Sequence, residues 1–231
     1  MFPTELAKVM NRSLPFIVLC ITLCAAGGCS FMAPQPDRTQ YFILSPAAPG
    51  DSNGVAPASQ ASTSQLSIGV GPLRFPDYLK RPWVVTRAAS NRLIVSDLNR
   101  WAEPLDRNFE GTFCQNLSQM LGTQKIVTYP WYADMHVDYQ VQVWVSRFET
   151  SDDGRSQLSA VWTINGREGR ELASGQTSVS SPVQSGEDGP SAALSRDLAQ
   201  MSREIADRIA QLSAIPKPGA ASIRGSQRPK S

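Results

Sequence analysis

The spacing of apolar residues along this 231-residue chain constrains its fold more than any other feature. Apolar and polar side chains alternate over residues 137–146, which is typical of a strand with one buried face. Asp152-Asp153-Gly154 has turn-forming chemistry, and alternation resumes over residues 158–164. Asn165-Gly166 begins another turn, and Glu171 to Ser180 follows as a further segment of strand character. This part of the chain therefore predicts a hairpin followed by another strand.

Two other segments repeat their apolar residues at helical spacing. From Leu105 to Leu121 a large apolar residue stands at every fourth position, and Gly122 ends the pattern. Pro104 fits the start of this helix because its missing N–H costs nothing in the first turn. Pro190 to Leu212 predicts a second amphipathic helix. Strands in a run with flanking helices indicate an α+β fold, with a single mixed or antiparallel sheet covered by two helices.

Several shorter apolar runs precede the first helix. Strands are expected at Leu66–Leu73, Trp83–Arg87 and Arg92–Val95, and Tyr41–Leu44 predicts a first strand. Residues 45–65 are rich in Ala, Pro, Ser, Gly and Gln, and are too poor in large apolar groups to offset the entropy of ordering. We therefore expect a low-complexity loop between the first and second strands.

These patterns together predict one domain with flexible ends. The domain is expected to occupy residues 41–212. Residues 213–231 are rich in Pro, Gly, Ser and Arg and predict a disordered tail. Residues 29–40 carry prolines and mostly polar side chains, so they are expected to form a tether.

The N-terminal residues 1–28 have the composition of a secretory signal. Lys8 and Arg12 precede an apolar stretch that ends in Ala26-Gly27-Gly28-Cys29, where no residue before the cysteine is larger than alanine. This run resembles a bacterial lipobox and predicts cleavage between Gly28 and Cys29. Cys29 would then carry acyl chains such as palmitate, which anchor the protein without spanning the membrane. The alternative is an ordinary cleaved signal with an incidental cysteine.

The residue after the cysteine bears on the destination of the mature protein. In the lipoproteins that this signal resembles, aspartate at this position tends to cause retention in the inner membrane. Ser30 stands here instead. The expected location is therefore the outer membrane, at its periplasmic face.

Charge and cysteine content exclude some classes of protein. Lys and Arg number 22 against 20 Asp and Glu, so the chain lacks the charge excess typical of nucleic-acid binding. Cys20 and Cys24 leave with the signal and Cys29 carries the lipid, so Cys114 is left without a disulfide partner. A small buried thiol is the expected state of Cys114.

The residue types needed for catalysis are sparse. His136 is the single histidine, which excludes a histidine-rich metal site or a histidine pair, and we interpret it as structural or superficial. No Gly-x-Ser-x-Gly elbow presents a nucleophile, and Gly69-Val70-Gly71-Pro72 lacks the lysine of a phosphate loop. The sequence therefore predicts no catalytic residue, metal or cofactor.

Two linked segments carry a family resemblance. They are Pro76-Asp77-Tyr78-Leu79-Lys80-Arg81-Pro82-Trp83-Val84-Val85-Thr86-Arg87, and Arg100-Trp101-Ala102-Glu103-Pro104-Leu105. The chain resembles the PqiC-type ABC-type transport auxiliary lipoproteins over about residues 41–212. The resemblance implies an outer-membrane lipoprotein that works with a periplasmic MCE-domain protein and an inner-membrane component in lipid transport. Ring-shaped homo-oligomers are also implied.

The first family segment contains the residue types that protein interfaces favour. Tyr78, Arg81, Trp83 and Arg87 are candidate partner contacts because rigid aromatic rings and arginine bury area at modest entropic cost. Tyr78 has an alternative role in anchoring its loop to the core. In the second segment Trp101, Glu103 and Pro104 are interpreted as structural, with an interface role for Trp101 as the alternative.

The resulting functional hypothesis is a non-enzymatic periplasmic lipoprotein that docks the MCE partner at the outer membrane. A first alternative is an assembly or stability lipoprotein of another envelope complex. A periplasmic hydrolase is disfavoured by the residues available, and a hydrolytic activity lost in His136→Ala would support it.

Overall fold

The computed structural model describes residues 36–48, 63–132, 135–186 and 188–215. The chain divides into two compact units, Met1–Arg38 and Thr39–Ser231, and all the elements below belong to the second. The signal segment, Cys29, most of the tether, residues 49–62 of the expected loop, and residues 216–231 lie outside the described residues.

Eight strands and two helices follow one another along the described chain, with four strands before each helix. The strands are β1 Gln40–Phe42, β2 Ile68–Arg74, β3 Trp83–Ala89, β4 Arg92–Trp101, β5 Ile126–Thr128, β6 Tyr139–Ser151, β7 Ser156–Gly166 and β8 Glu171–Val179. The helices are α1 Leu105–Leu121 and α2 Gly189–Ala214, and a single 3-10 turn spans Asp77–Leu79.

The strands form one mixed sheet around β6. One edge of β6 pairs antiparallel with β7, which pairs antiparallel with β8. The other edge pairs in parallel with β2 and, further along, with β3. β5 adds in parallel to β2, β4 adds antiparallel to β3, and β1 adds in parallel to β4. This topology confirms the predicted α+β class.

The hydrophobic core fills the space between the two helices and one face of the sheet. Alternate residues of β6, among them Val141 and Val143, are fully buried on that face. Phe109 of α1 packs edge to face against Phe75 and Phe148, with ring centroids 5.0 and 5.2 Å apart. Burial of each such ring contributes roughly 1.5–3 kcal/mol. The core thus fixes the helix layer to β6.

Helix α1 has the predicted bounds, and α2 extends one residue before and two residues after its predicted range. The turn at Asp152-Asp153-Gly154 is also confirmed, with Gly154 at φ 75° and its N–H 3.1 Å from the Ser151 carbonyl. Left-handed backbone at this turn favours glycine.

Other strand predictions need correction. β4 continues to Trp101, well past the predicted end at Val95, because its last residues pair with β1 as well as β3. β1 ends at Phe42 instead of Leu44, since the Leu44 N–H bonds to the Asn108 side chain, 2.7 Å away, and not to a strand. β5 was not predicted from the sequence, because three residues are too few to show a period.

Candidate contact site

A buried carboxylate binds two polar side chains of the first family-like segment. Glu149 on β6 is fully buried and accepts hydrogen bonds from Arg87 Nε at 2.7 Å and Arg147 Nε at 3.0 Å. The Tyr78 hydroxyl donates to the same carboxylate at 2.8 Å, and the Phe148 backbone N–H donates at 2.9 Å. Four donors therefore compensate one buried charge, as a buried carboxylate requires.

Local structure explains why these side chains meet. The extended Pro76 leads into the 3-10 turn, whose Leu79 is buried in the core, and this places Tyr78 beside β6. β3 runs parallel to β6 with Arg87 opposite Ser151, so the Arg87 guanidinium lies within reach of Glu149. The cluster consequently fastens the 3-10 turn and β3 to the central strand.

The electrostatics of the cluster determine the protonation of Tyr78 and Arg87. Burial, and then the hydrogen bond to Glu149, raises the pKa of Tyr78 to about 12. The hydrogen bond to Glu149 is also the main reason that the pKa of Arg87 rises. Tyr78 is therefore a neutral donor and Arg87 a permanent cation at physiological pH.

The four candidate partner contacts thus fall into two groups. Tyr78 and Arg87 are brought together by Glu149 and are engaged inside the domain. Arg81 is exposed and Trp83 is half-buried at the start of β3. Of the four candidates, the second pair is therefore the one that is not engaged by Glu149.

Trp83 belongs to a row of side chains across three strands. It lies opposite Arg100 of β4, and Arg100 lies opposite Tyr41 of β1. Directly opposed residues project from the same face of a sheet, so this row stands on the face away from the buried Phe42 and Trp101. An arginine flanked by two aromatic rings is a composition typical of contact surfaces.

The second family-like segment organises the start of α1. Trp101 is buried in the core, and its backbone N–H donates to the Pro82 carbonyl at 2.7 Å. The Pro104 carbonyl accepts the first helical bonds, and Glu103 Oε1 accepts a 2.7 Å bond from Asn108 Nδ2. All three residues of the segment therefore lie at the strand-to-helix junction.

Sequence reasoning missed a set of polar side chains on the buried side of the helices. Asn108 and Asn116 of α1 accept the N–H groups of Leu44 and Ala47, at 2.7 and 2.8 Å, and Ser195 of α2 accepts that of Ser45 at 3.0 Å. The sequence contains a signal for these residues, because polar residues that recur every four positions in an amphipathic helix indicate specific hydrogen-bond partners. The beginning of the expected loop is therefore docked on the helices.

Beside this docked segment lies a groove of about 990 Å³ between residues 41–48 and the N-terminal half of α2. Arg196 and Arg203 line its helical wall, and Tyr41 and Ile43 line its opposite wall. Tyr41 is 64% exposed and Ile43 54% exposed, which is unusual for large apolar side chains next to a core.

The reactive side chains flagged in the sequence lie apart from these surfaces. Burial, with a smaller contribution from Glu110, raises the pKa of Cys114 to about 12, so its thiol is protonated and unreactive. His136 is exposed before β6. In the described ranges, no group of three His, Cys, Asp or Glu side chains is placed to hold a metal ion. Neither described helix is long and apolar enough to cross a membrane.

A mixed α+β sheet with one layer of helices defines the class of protein, and comparison with known sequences defines the family. Residues 51–206 match the family described as ABC-type transport auxiliary lipoprotein component. The match covers more than half of the chain, and the chain belongs to this family, as the two segments indicated.

Similar proteins agree with this assignment. The chain is 28% identical over 107 residues to the intermembrane transport lipoprotein PqiC of Escherichia coli K12, and equally to that of Shigella flexneri. The match takes in 46% of this chain and 56% of each relative, so the chain spans little more than half the length of these relatives.

Solved structures share the fold. A crystal structure of an uncharacterised protein, 22% identical, covers 75% of this chain and 98% of its own with a TM-score of 0.53. A Xanthomonas campestris protein, 15% identical, covers 75% and 95% with a TM-score of 0.55. At these identities the likeness establishes the architecture.

Proposed function

We propose that this protein is a lipoprotein anchored through Cys29 at the periplasmic face of the outer membrane, where it docks a periplasmic MCE-domain partner. The partner would belong to an intermembrane lipid transport system with an inner-membrane component. The observation that carries the proposal is the family match over residues 51–206. The lipobox-like run ending at Cys29 supports it independently.

The geometry of the described residues supports a contact role and not a catalytic one. Tyr78 and Arg87 are held by the buried Glu149, and the Cys114 thiol is protonated. What the family-like segment offers to a partner is the exposed Arg81 with Trp83 beside the Arg100 and Tyr41 row. We propose that these side chains contact the partner, and that several copies of the chain assemble into a ring around it.

Crosslinked purification from envelopes tests the docking proposal. We expect the tagged protein to recover an MCE-domain protein and its inner-membrane component, and Arg81→Glu to reduce that recovery several-fold by placing like charge at the contact. Arg170→Glu, an exposed arginine in the turn before β8, is the matched control and should leave recovery unchanged.

Two results would count against the proposal. Consistent absence of an MCE protein after crosslinking contradicts the docking role, and recovery of an unrelated envelope complex in its place favours the assembly alternative. Loss of recovery in both arginine variants would show that net charge, and not the Arg81 surface, governs the association.

A further inference from the structure

The groove between β1 and α2 has a wall of backbone. Its lining includes Tyr41, Phe42 and Ile43 in succession and continues along residues 45–48. Successive side chains of a strand point to opposite faces of the sheet. Consecutive residues can therefore line the same groove only where the edge of the strand faces that groove. These residues precede the family match at residues 51–206, whereas the helical wall of the groove lies within it.

The edge facing the groove carries hydrogen-bonding groups that the sheet does not use. The Phe42 carbonyl accepts the Ala102 N–H at 2.9 Å, so the backbone groups of Phe42 point toward β4. Groups of neighbouring residues in a strand point to the opposite edge, which directs those of Tyr41 and Ile43 into the groove. Among the described strands, β4 is the one that pairs with β1.

The strand-side wall and α2 also contact each other within the groove. There the Ser45 N–H donates to Ser195 Oγ on α2 at 3.0 Å, so the two walls meet. On either side of this contact along α2, Ala192 and Ala199 present small side chains that leave room beside the strand. A single extended chain is the shape that such a space accommodates.

The charged side chains in the lining are mainly cationic. Arg196 and Arg203 lie two helical turns apart on the same wall, and Asp188 is the acidic residue among the lining. Arg196 Nη2 donates to the Pro182 carbonyl at 2.8 Å, and Asp207 lies near Arg203; both Pro182 and Asp207 lie outside the lining. An acidic ligand complements this wall.

We propose that the groove binds an extended acidic segment of a partner protein, which adds as a strand to the edge of β1 that no described strand occupies. This inference rests on the proposed docking function and assigns it a second surface. The Tyr41 and Ile43 backbone groups would pair with the incoming segment, and their exposed side chains would pack against its apolar residues. A lipid chain fits less well, because it would leave these backbone groups without partners.

Peptide binding to the purified full-length lipoprotein in detergent tests the proposal. The probe is a fluorescein-labelled Val-Glu-Val-Glu-Val-Glu peptide, followed by fluorescence anisotropy. We expect saturable binding that weakens about tenfold in Arg196→Gln/Arg203→Gln, and no such change in Arg208→Gln, an exposed arginine on α2 outside the groove. Alternate N-methylation of the peptide should abolish binding, because it removes the backbone donors without altering the protein.

Equal binding of the N-methylated and unmodified peptides would overturn strand addition. Failure of the peptide to bind, together with arginine-dependent binding of dihexanoyl phosphatidylglycerol, would show a lipid site instead. The docking function is judged separately by recovery of the MCE protein. If Arg196→Gln/Arg203→Gln fails to bind peptide yet recovers the MCE protein fully, the groove is not the surface that docks this partner. If the natural protein binds the peptide but recovers no MCE protein, the groove is a peptide site and the docking function is contradicted.

Discussion

Glu149 is the residue that binds two side chains of the first family-like segment, Tyr78 and Arg87. Its carboxylate accepts hydrogen bonds from two arginines and one tyrosine, and these join the 3-10 turn, β3 and β6. A fully buried charge of this kind is stabilising only as long as all of its partners remain. The cluster therefore sets the position of the segment that presents Arg81 and Trp83.

Glu149→Gln tests this role. We expect the free energy of unfolding to fall by about 3 kcal/mol, because Arg87 and Arg147 lose their charge partner while partly buried. Urea denaturation measures the change. Glu168→Gln, at an exposed turn, is the control and should shift stability by less than about 0.5 kcal/mol. A similar, small effect in both variants would contradict a structural role for the cluster.

Asp197 of α2 is a second buried carboxyl group. In contrast to Glu149, its ionised form makes the folded protein less stable. Burial raises its pKa even though Ser181 Oγ donates to Oδ1 at 2.5 Å. A carboxyl that binds its proton more tightly in the folded protein stabilises the fold below its ordinary pKa. That stability is lost as pH rises through the folded value.

Asp197→Asn should therefore increase the free energy of unfolding at pH 7. The amide keeps an acceptor for Ser181 and removes the buried charge. The difference from the unsubstituted protein should shrink as pH falls below the ordinary aspartate pKa, and denaturation at several pH values measures it. A variant that is less stable than the natural chain at pH 7 would refute this interpretation.

At the scale of elements, the stretch that follows β1 is docked by side chains and not by strand pairing. Asn116 accepts the Ala47 N–H at 2.8 Å and donates to Ser202 Oγ at 3.2 Å, which also links α1 to α2. Asn116 is fully buried, so each of these groups depends on it. The helix pair and the extended segment are thus one cooperative unit.

Asn116→Ala should release this segment. We expect a loss of about 2 kcal/mol in stability, because the Ala47 N–H is left without its partner, and faster hydrogen exchange over residues 44–48. Gln115→Ala, the exposed neighbour on α1, is the control. Unchanged exchange in Asn116→Ala would mean that the segment is held by other contacts.

The elements that could be predicted from the sequence are those with a long apolar period. α1 repeats a large residue every fourth position over its whole length, and β6 and β7 alternate, so period alone locates them. β5 and the end of β4 depend on pairing with residues far along the chain, which leaves no local pattern. The spacing of Asn116 on α1 indicates that it has a partner, but the identity of that partner, Ala47, is hidden because it lies 69 positions away.

For the candidate site, the sequence predicts which residue types take part, but it does not predict which way their side chains point. Aromatic and arginine content selected Tyr78, Arg81, Trp83 and Arg87, but composition does not reveal that Glu149 draws two of them inward. The groove beside β1 also left no signal, since it arises where a strand edge and a helix approach in three dimensions.

At the scale of the whole molecule, the proposed lipid anchor and the folded domain would have separate tasks. The chain belongs to a family of transport auxiliary lipoproteins, and its described residues place the candidate contact residue Arg81 on the outside and a satisfied polar cluster within. We propose that Cys29 confines this domain to one membrane, which raises the local concentration of its contact surfaces for a partner that arrives from the periplasm.

Co-flotation tests this central claim most directly. The lipidated protein, on liposomes of phosphatidylethanolamine and phosphatidylglycerol, is mixed with the periplasmic part of the MCE protein from the same genome and centrifuged through a density gradient. We predict that the MCE protein floats with liposomes carrying the natural protein and sediments with Cys29→Ala, which lacks the acyl anchor. An MCE protein that sediments although the lipidated protein floats would contradict the account.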